Sequence, residues 1–241
     1  MDEKIARLND WIRESQNIVF FGGAGVSTES GIPDFRSTGG LYNQQYKYPP
    51  EVIVSHTFYE ERPEEFFEFY KSRMLYLDAK PNAAHLKLAG LERAGKLRAV
   101  ITQNIDGLHQ LAGSKKVLEL HGSVERNFCM RCHRFYPASA ISESTGIPRC
   151  ECGGLIKPDV VLYEESLDSD VLEEAITEIE RADTLIVGGT SLVVYPAAGL
   201  LRYFRGKNGL VLINRDRTPA DSYADLVIHD SIGKVLGGLV I

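Results

Sequence analysis

The sequence predicts an α/β protein: a doubly wound parallel (Rossmann-like) sheet domain with a second, smaller lobe. Two observations predict the sheet. Short apolar runs alternate with helical patterns, and one of these runs stops at a glycine-rich loop. A third observation predicts the smaller lobe. Every cysteine of the chain falls between residues 122 and 157, which is typical of a zinc ribbon.

The strands are predicted from apolar runs whose composition suits burial on both faces. These runs are 18–21, 97–102, 117–120, 160–162, 184–187, 210–213 and 226–228. Apolar residues at helical spacing predict helices over the first residues of the chain and over 83–94, 168–181 and 196–205. We therefore assign 1–37, 82–121 and 158–241 to the sheet domain. The aromatic-rich segment 38–81 and the cysteine segment 122–157 form the smaller lobe.

Composition narrows the class of protein. With 44% hydrophobic and 25% charged residues in 241, the chain is an ordinary globular protein. A net charge of −6 lacks the excess of positive charge that nucleic-acid binding proteins carry. We find neither the apolar core of a signal peptide nor a run long enough to span a membrane. We expect a cytoplasmic protein without membrane or nucleic-acid partners, and leave its oligomeric state open.

The loop that runs from Gly22 to Ser27 directly follows the first strand. Glycines let a backbone approach a pyrophosphate, and N–H groups at a following helix start would bind its charge. An ordinary tight turn is the alternative. Residues 26–28 replace the third glycine of the usual dinucleotide fingerprint, which argues against a standard dehydrogenase.

Polar side chains follow two further strands. Asn104 and Asp106 come after the run 97–102, where they either contact a ligand or begin a helix as N-caps. Of six histidines, only His109 and His121 lie close after strand ends, and His121 is followed by Gly and Ser rather than by a helical pattern. A histidine titrates near neutrality, so His121 is the candidate general base, although lone histidines are more often structural.

The cysteines form the spacing C-x-x-C, seventeen residues, then C-x-C. This pattern favours a tetrahedral thiolate zinc site over disulfides. His133 is the substitute ligand if the second pair cannot reach. With four protein ligands the metal is structural, and the predicted ligands are Cys129, Cys132, Cys150 and Cys152.

In this order the motifs resemble the sirtuin family over essentially the whole chain. The matching segments are 23–27 with 31–36, 102–109, 120–122, the four cysteines, 158–162 and 189–196. The resemblance implies an NAD-dependent protein lysine deacetylase that releases nicotinamide and O-acetyl-ADP-ribose, with NAD as co-substrate and an acyl-lysine protein or peptide as partner. In that reaction the acyl oxygen attacks the ribose carbon, and His121 then deprotonates a ribose hydroxyl.

The resemblance also implies roles for single residues. Asn104 joins His121 as a catalytic residue. The residues that would bind NAD, together with His121, are Ala24, Thr28, Phe35, Arg36, Gln103, Ile105, Asp106, Thr190, Ser191, Asn214, Arg215 and Ile232. The peptide would contact Val161, Leu162, Tyr163, Glu164 and Val193. This chain has Tyr-Glu-Glu at 163–165 where many relatives resemble Phe-Gly-Glu, so Glu164 stands in place of a glycine at the rim. It either favours basic flanking residues or is simply a solvated charge.

Two other activities stay open. Tyr70 and Arg73 resemble the pair with which some sirtuins bind the carboxylate of succinyl or malonyl lysine. We favour the plainer interpretation, in which Tyr70 packs with Phe66 and Phe67 while Arg73 is a surface charge. A protein ADP-ribosyltransferase would share the first bond cleavage. A zinc-stabilised, DNA-associated protein is disfavoured by the acidic charge balance.

Overall fold

The structure, a computed structural model, describes residues 2–35, 40–41, 44 and 46–240. The strands in this part of the chain are β1 (Ile18–Gly22), β2 (Leu97–Thr102), β3 (Val117–Glu119), β4 (Gly122–Cys129), β5 (Phe135–Tyr136), β6 (Ile156–Val160), β7 (Thr184–Gly188), β8 (Gly209–Ile213) and β9 (Leu226–Ile228). The α-helices are α1 (Asp2–Glu14), α2 (Pro50–Ile53), α3 (His56–Glu61), α4 (Pro63–Arg73), α5 (Ala83–Arg93), α6 (Leu108–Leu111), α7 (Ala138–Ser142), α8 (Ser169–Arg181) and α9 (Ile232–Gly237). Short 3₁₀ helices lie at Ala24–Val26, Thr28–Ser30, Ala197–Tyr203 and Pro219–Ser222.

The main sheet is parallel and has β1 near its centre. Its six strands lie in the order β3-β2-β1-β7-β8-β9 within the described residues. The order reverses at β1, because the chain passes first to β2 and β3 on one side and later to β7, β8 and β9 on the other. The predicted doubly wound fold is confirmed.

One predicted strand was wrong. The run 160–162 is not a strand of the parallel sheet, because Val160 instead ends β6, which pairs antiparallel with β4. Together with β5 these strands form a separate three-stranded sheet, and β6 crosses the boundary predicted at residue 158. Burial alternates along β6, as expected for a strand with only one face in a core. A three-residue apolar run is too short to show that alternation.

The main sheet is buried on both faces, as β1 illustrates. Ile18 and Phe20 belong to the apolar cluster on one face, which α1, α5 and α9 cover. Val19 and Phe21 belong to the cluster on the other face, which α8 and the 197–203 segment cover. Each such side chain contributes about 1.5–3 kcal/mol when fully buried. The helix predicted over 196–205 is present as the 3₁₀ helix Ala197–Tyr203.

A third apolar cluster joins the second sheet to the helices α2, α3 and α4. Phe66 and Phe67 of α4 pack there with Val124 of β4 and Ile156 of β6. The aromatic residues between 46 and 70 thus pack into a core of their own. No helix in the described residues offers an apolar stretch of the length that a bilayer crossing requires.

Candidate active site

Two adjoining cavities open at the carboxyl edge of the parallel sheet, where the loops that follow β1, β2, β3, β7 and β8 meet. The larger has a volume of about 610 Å³ and the smaller about 290 Å³. In open parallel sheets this edge, at the point where strand order reverses, is where ligands bind. The side chains that border both cavities are Ala24, Phe35, Gln103, Asn104, His121 and Val194.

The glycine loop after β1 packs directly against the loop after β7. The Gly25 N–H donates to the Gly189 carbonyl at 2.7 Å, and a Cβ on Gly25 would lie 2.8 Å from the Gly189 Cα. Gly189 itself has φ +60° and no room for a side chain beside Val26. The chain then forms two 3₁₀ turns rather than the start of a long helix. Glycine is required here by backbone-to-backbone contact between the loops.

Asn104 and Asp106 are held together through Ser27. The Ser27 hydroxyl donates to Asp106 Oδ2 at 2.6 Å and lies 3.0 Å from the Asn104 amide nitrogen. Asp106 Oδ1 also accepts the N–H of Leu108 at the start of α6. One oxygen of Asp106 therefore caps a helix, as the alternative interpretation expected, while the other is bound by Ser27. Sequence reasoning did not single out Ser27, which is 1% exposed; its polar side chain beside the glycines was the available signal.

His121 lies at the junction of the two cavities with one ring nitrogen already bound. Its Nδ1 lies 3.0 Å from the carbonyl oxygen of Gln103, and because a carbonyl only accepts, Nδ1 carries the proton. Nε2 therefore holds the lone pair. Burial lowers the pKa of His121 below its ordinary value, more than the Gln103 hydrogen bond raises it. The arrangement provides a neutral imidazole with a free basic nitrogen.

The smaller cavity is lined by residues predicted to bind the far half of a dinucleotide. Asn214 Oδ1 accepts the N–H of Thr190 at 3.0 Å, while the Thr190 hydroxyl donates to Gln103 Oε1. The amide nitrogens of Gln103 and Asn214 are buried and have no hydrogen-bond partner among the described residues. Predicted residues found only in this cavity are Thr28, Thr190, Ser191, Asn214, Arg215 and Ile232.

The larger cavity holds the other predicted residues, with two exceptions. Ile105, Asp106, Val161, Leu162, Tyr163 and Glu164 line it. Val193 is 48% exposed and lines neither cavity, whereas its neighbour Val194 borders both. Arg36 lies outside the described residues. Sequence reasoning gave no role to Asp216, Arg217 and Asp230, which line the smaller cavity.

Tyr70 and Arg73 also line the larger cavity. Tyr70 is 1% exposed and stacks on Phe66 with ring centroids 5.7 Å apart, as the packing interpretation expects. Its hydroxyl has no hydrogen-bond partner among the described residues. Burial raises the pKa of the Tyr70 hydroxyl, so it remains a donor. Arg73 is exposed, with its guanidinium 5.9 Å from the centre of the Tyr46 ring.

The four cysteines converge at the end of β4, whose last residue is Cys129. Their sulfur atoms all lie within 4.8 Å of one another, with Cys129 Sγ 3.5 Å from Cys152 Sγ and Cys132 Sγ 3.6 Å from Cys150 Sγ. A tetrahedral zinc with Zn–S bonds of about 2.3 Å requires sulfur pairs about 3.8 Å apart. Cys152, rather than His133, completes the set, which is positioned to bind a structural metal ion.

These features define a class: an α/β protein whose parallel sheet carries a cavity suited to a nucleotide-type ligand at its carboxyl edge, beside a neutral histidine and a four-cysteine metal site. Within that class the chain belongs to the Sir2 family, whose model matches residues 23–196. The predicted sirtuin resemblance is thereby confirmed.

Relatives match this chain over nearly its whole length. The NAD-dependent protein deacetylase of Clostridium perfringens is 64% identical, with 100% of both chains covered. That of Staphylococcus aureus strain N315 is 49% identical, covering 100% of this chain and 99% of its own. Among solved structures, a Sir2–p53 peptide–NAD+ complex is 44% identical, with a TM-score of 0.84 over 96% of this chain and 95% of its own. A Sir2 protein bound to a propionylated peptide is 43% identical, with a TM-score of 0.86 over 97% and 95%.

Proposed function

We propose that the protein is an NAD-dependent protein lysine deacetylase that transfers the acetyl group of a modified lysine to ADP-ribose and releases nicotinamide. The observation that carries this proposal is the position of His121. Its neutral imidazole lies where the smaller cavity meets the larger and more apolar one, so a base is available at the point where two substrates would meet. Full-length relatives that carry the name NAD-dependent protein deacetylase support it.

NAD fits the residues of the smaller cavity. The unpartnered amide nitrogens of Gln103 and Asn214 are donors that a ribose would satisfy, and an unpaired buried donor is costly unless a ligand or water binds it. Asp106 and Asn104, fixed by Ser27, would hold the carboxamide and ribose of the nicotinamide half. The glycine loop would bring backbone N–H groups to the pyrophosphate.

The acyl-lysine peptide would lie against Val161, Leu162, Tyr163 and Glu164. The Val161 N–H donates to the His121 carbonyl at 3.0 Å, so the peptide-binding segment is tied directly to the proposed base. Recognition through added backbone pairing tolerates many side chains, and broad substrate choice follows. Val193, exposed at the rim, would contact the same peptide.

The experiment is an incubation of the purified protein with NAD and an acetyl-lysine peptide. We expect nicotinamide and O-acetyl-ADP-ribose in equal amounts by mass spectrometry, and neither product when NAD is omitted. Nicotinamide release with ADP-ribose attached to the peptide or protein would instead identify an ADP-ribosyltransferase. No nicotinamide release at all would exclude both activities.

Removal of succinyl or malonyl groups is the second candidate, favoured by the unpartnered Tyr70 hydroxyl beside Arg73 in the larger cavity. A hydroxyl donor and a guanidinium together suit a carboxylate. If this pair binds the acyl group, Arg73→Met will lower kcat/KM for a succinyl peptide about tenfold and leave the acetyl value unchanged. An unchanged ratio between the two peptides would reject the candidate.

The zinc site and the cell compartment complete the proposal. Cys129, Cys132, Cys150 and Cys152 would hold zinc with no open position, so the metal would stabilise the second sheet without entering the reaction. Thiolates kept as metal ligands suit a reducing compartment, and we place the protein in the cytoplasm. We also propose two lobes, one built on the parallel sheet and one on the second sheet with α2, α3 and α4.

A further inference from the structure

The peptide-binding segment is attached residue by residue to the start of α3. The Tyr163 N–H donates to the Val54 carbonyl, and the Tyr163 carbonyl accepts the His56 N–H, both at 3.0 Å. Glu164 Oε2 accepts the N–H and the hydroxyl of Thr57 at 2.9 and 2.7 Å. Three consecutive contacts thus join two stretches that lie more than 100 positions apart in the chain.

Glu164 stands where the backbone favours glycine. It is the third residue of a turn that the Glu165 N–H closes on the Leu162 carbonyl at 3.1 Å, and its φ is +77°. A left-handed third residue is the position of a type II turn for which glycine is strongly preferred. Glutamate is strained in this position, and its two hydrogen bonds to Thr57, which glycine could not make, help to offset the strain.

We propose that Glu164 is a positioning residue for the acyl-lysine peptide: its contact with Thr57, here called the Glu164–Thr57 bridge, fixes the edge of the segment 161–164 against α3. This inference rests on the proposed function. The Tyr163 N–H and carbonyl are already bound to Val54 and His56, and the bridge holds the next residue of the segment against α3 through its side chain. The lowered pKa of Glu164, caused by its hydrogen bonds to Thr57, agrees with a carboxylate that stays ionised in the bridge.

A matched pair of variants separates the effect of the length of the Glu164 side chain from the effect of its charge. Glu164→Asn tolerates the left-handed backbone but is one methylene too short for Thr57, whereas Glu164→Gln is equally uncharged and keeps the reach. We expect Glu164→Asn to raise KM for an acetyl-lysine peptide about fivefold, while kcat and KM for NAD change less than twofold. Glu164→Gln should recover most of that loss. Glu61→Gln, which removes an exposed negative charge on α3 outside the bridge, controls for net charge.

The partner side of the bridge gives a second test. Thr57→Val removes the hydroxyl donor and leaves the N–H, so it should raise the peptide KM about twofold alone and add nothing to Glu164→Asn. Amide hydrogen exchange in the fragment 55–60 measures whether the Glu164–Thr57 bridge is present, without any substrate. The Thr57 amide belongs to the first turn of α3, where N–H groups have no partner within the helix, so it should exchange at least fivefold faster in Glu164→Asn.

The outcomes distinguish failure of this inference from failure of the proposed function. A wild-type protein that consumes no NAD with acetyl peptide fails the proposed function, and the positioning role fails with it. An active wild type whose peptide KM or whose 55–60 exchange is unaffected by Glu164→Asn overturns the positioning role alone. So does a Glu164→Gln variant as impaired as Glu164→Asn, because charge rather than reach would then decide.

Discussion

Replacing the proposed base tests the reaction most directly. His121→Ala removes the basic nitrogen that the structure places at the junction of both cavities, with its proton position fixed by the Gln103 carbonyl. General-base assistance is typically worth 10²–10⁴-fold, or about 2.7–5.4 kcal/mol of barrier. We therefore expect kcat for deacetylation to fall at least a hundredfold. The fold should persist, since the hydrogen bond lost with the ring contributes about 1 kcal/mol.

The assay should separate the two halves of the reaction. In the proposed reaction nicotinamide would leave before His121 acts on the ribose hydroxyl, so exchange of labelled nicotinamide into NAD should fall much less in His121→Ala than product formation does. His133→Ala replaces an exposed histidine outside both cavities and should keep full activity. Deacetylation within threefold of wild type in His121→Ala would refute the assignment of the base.

The pH dependence of kcat/KM tests the same assignment of His121 as the base. The imidazole acts as a base only when neutral, and burial lowers the pKa of His121 below the 6.5 of an unperturbed histidine. Activity should therefore be lost as pH falls through the folded-state pKa, with the midpoint of the acid limb of kcat/KM below 6.5. A midpoint above 7 would contradict the buried, neutral base.

Further predictions concern stability and the metal. Gly122→Ala should lower the free energy of unfolding by about 3 kcal/mol, since φ is +75° and a Cβ would lie 1.9 Å from a backbone oxygen; Gly146→Ala, with φ +64° and open space, should cost about 1 kcal/mol. Equal urea midpoints for the two would contradict this. Cys152→Ser should lose bound zinc by atomic absorption while His133→Ala retains it, and the reverse result would reassign the fourth ligand. Burial lowers the pKa of His109, so below pH 6.5 the unfolded chain binds a proton that the folded chain excludes. The free energy of unfolding should therefore decrease as the pH is lowered below 6.5. His109→Leu should reduce the slope of the free energy of unfolding against pH by up to about 1.4 kcal/mol per pH unit between pH 5 and 6. The same slope in the variant and the wild type, measured by urea titration at each pH, would refute this prediction.

The sequence by itself determined the parallel sheet, the cysteine site and the family. Buried parallel strands need apolar residues on both faces, and this leaves continuous runs that are visible without a structure. The carboxyl ends of such strands meet at one edge, so the loops after β1, β2 and β3 lie side by side there. Ala24, Gln103, Asn104 and His121 do line common cavities. The thiol ligands are close in sequence and chemically distinctive, so their spacing was enough.

Tertiary structure decided what depends on partners distant in sequence. The run 160–162 is compatible with a strand in either sheet, and only the pairing of β6 with β4 assigned Val160 to the second sheet. Ser27 joins Asp106 across 79 positions, and Glu164 reaches Thr57 across 107. Local periodicity records which face of a segment is buried but not which residue it meets. Such contacts, and the free nitrogen of His121 that the Gln103 carbonyl leaves, exist only once the chain has closed on itself.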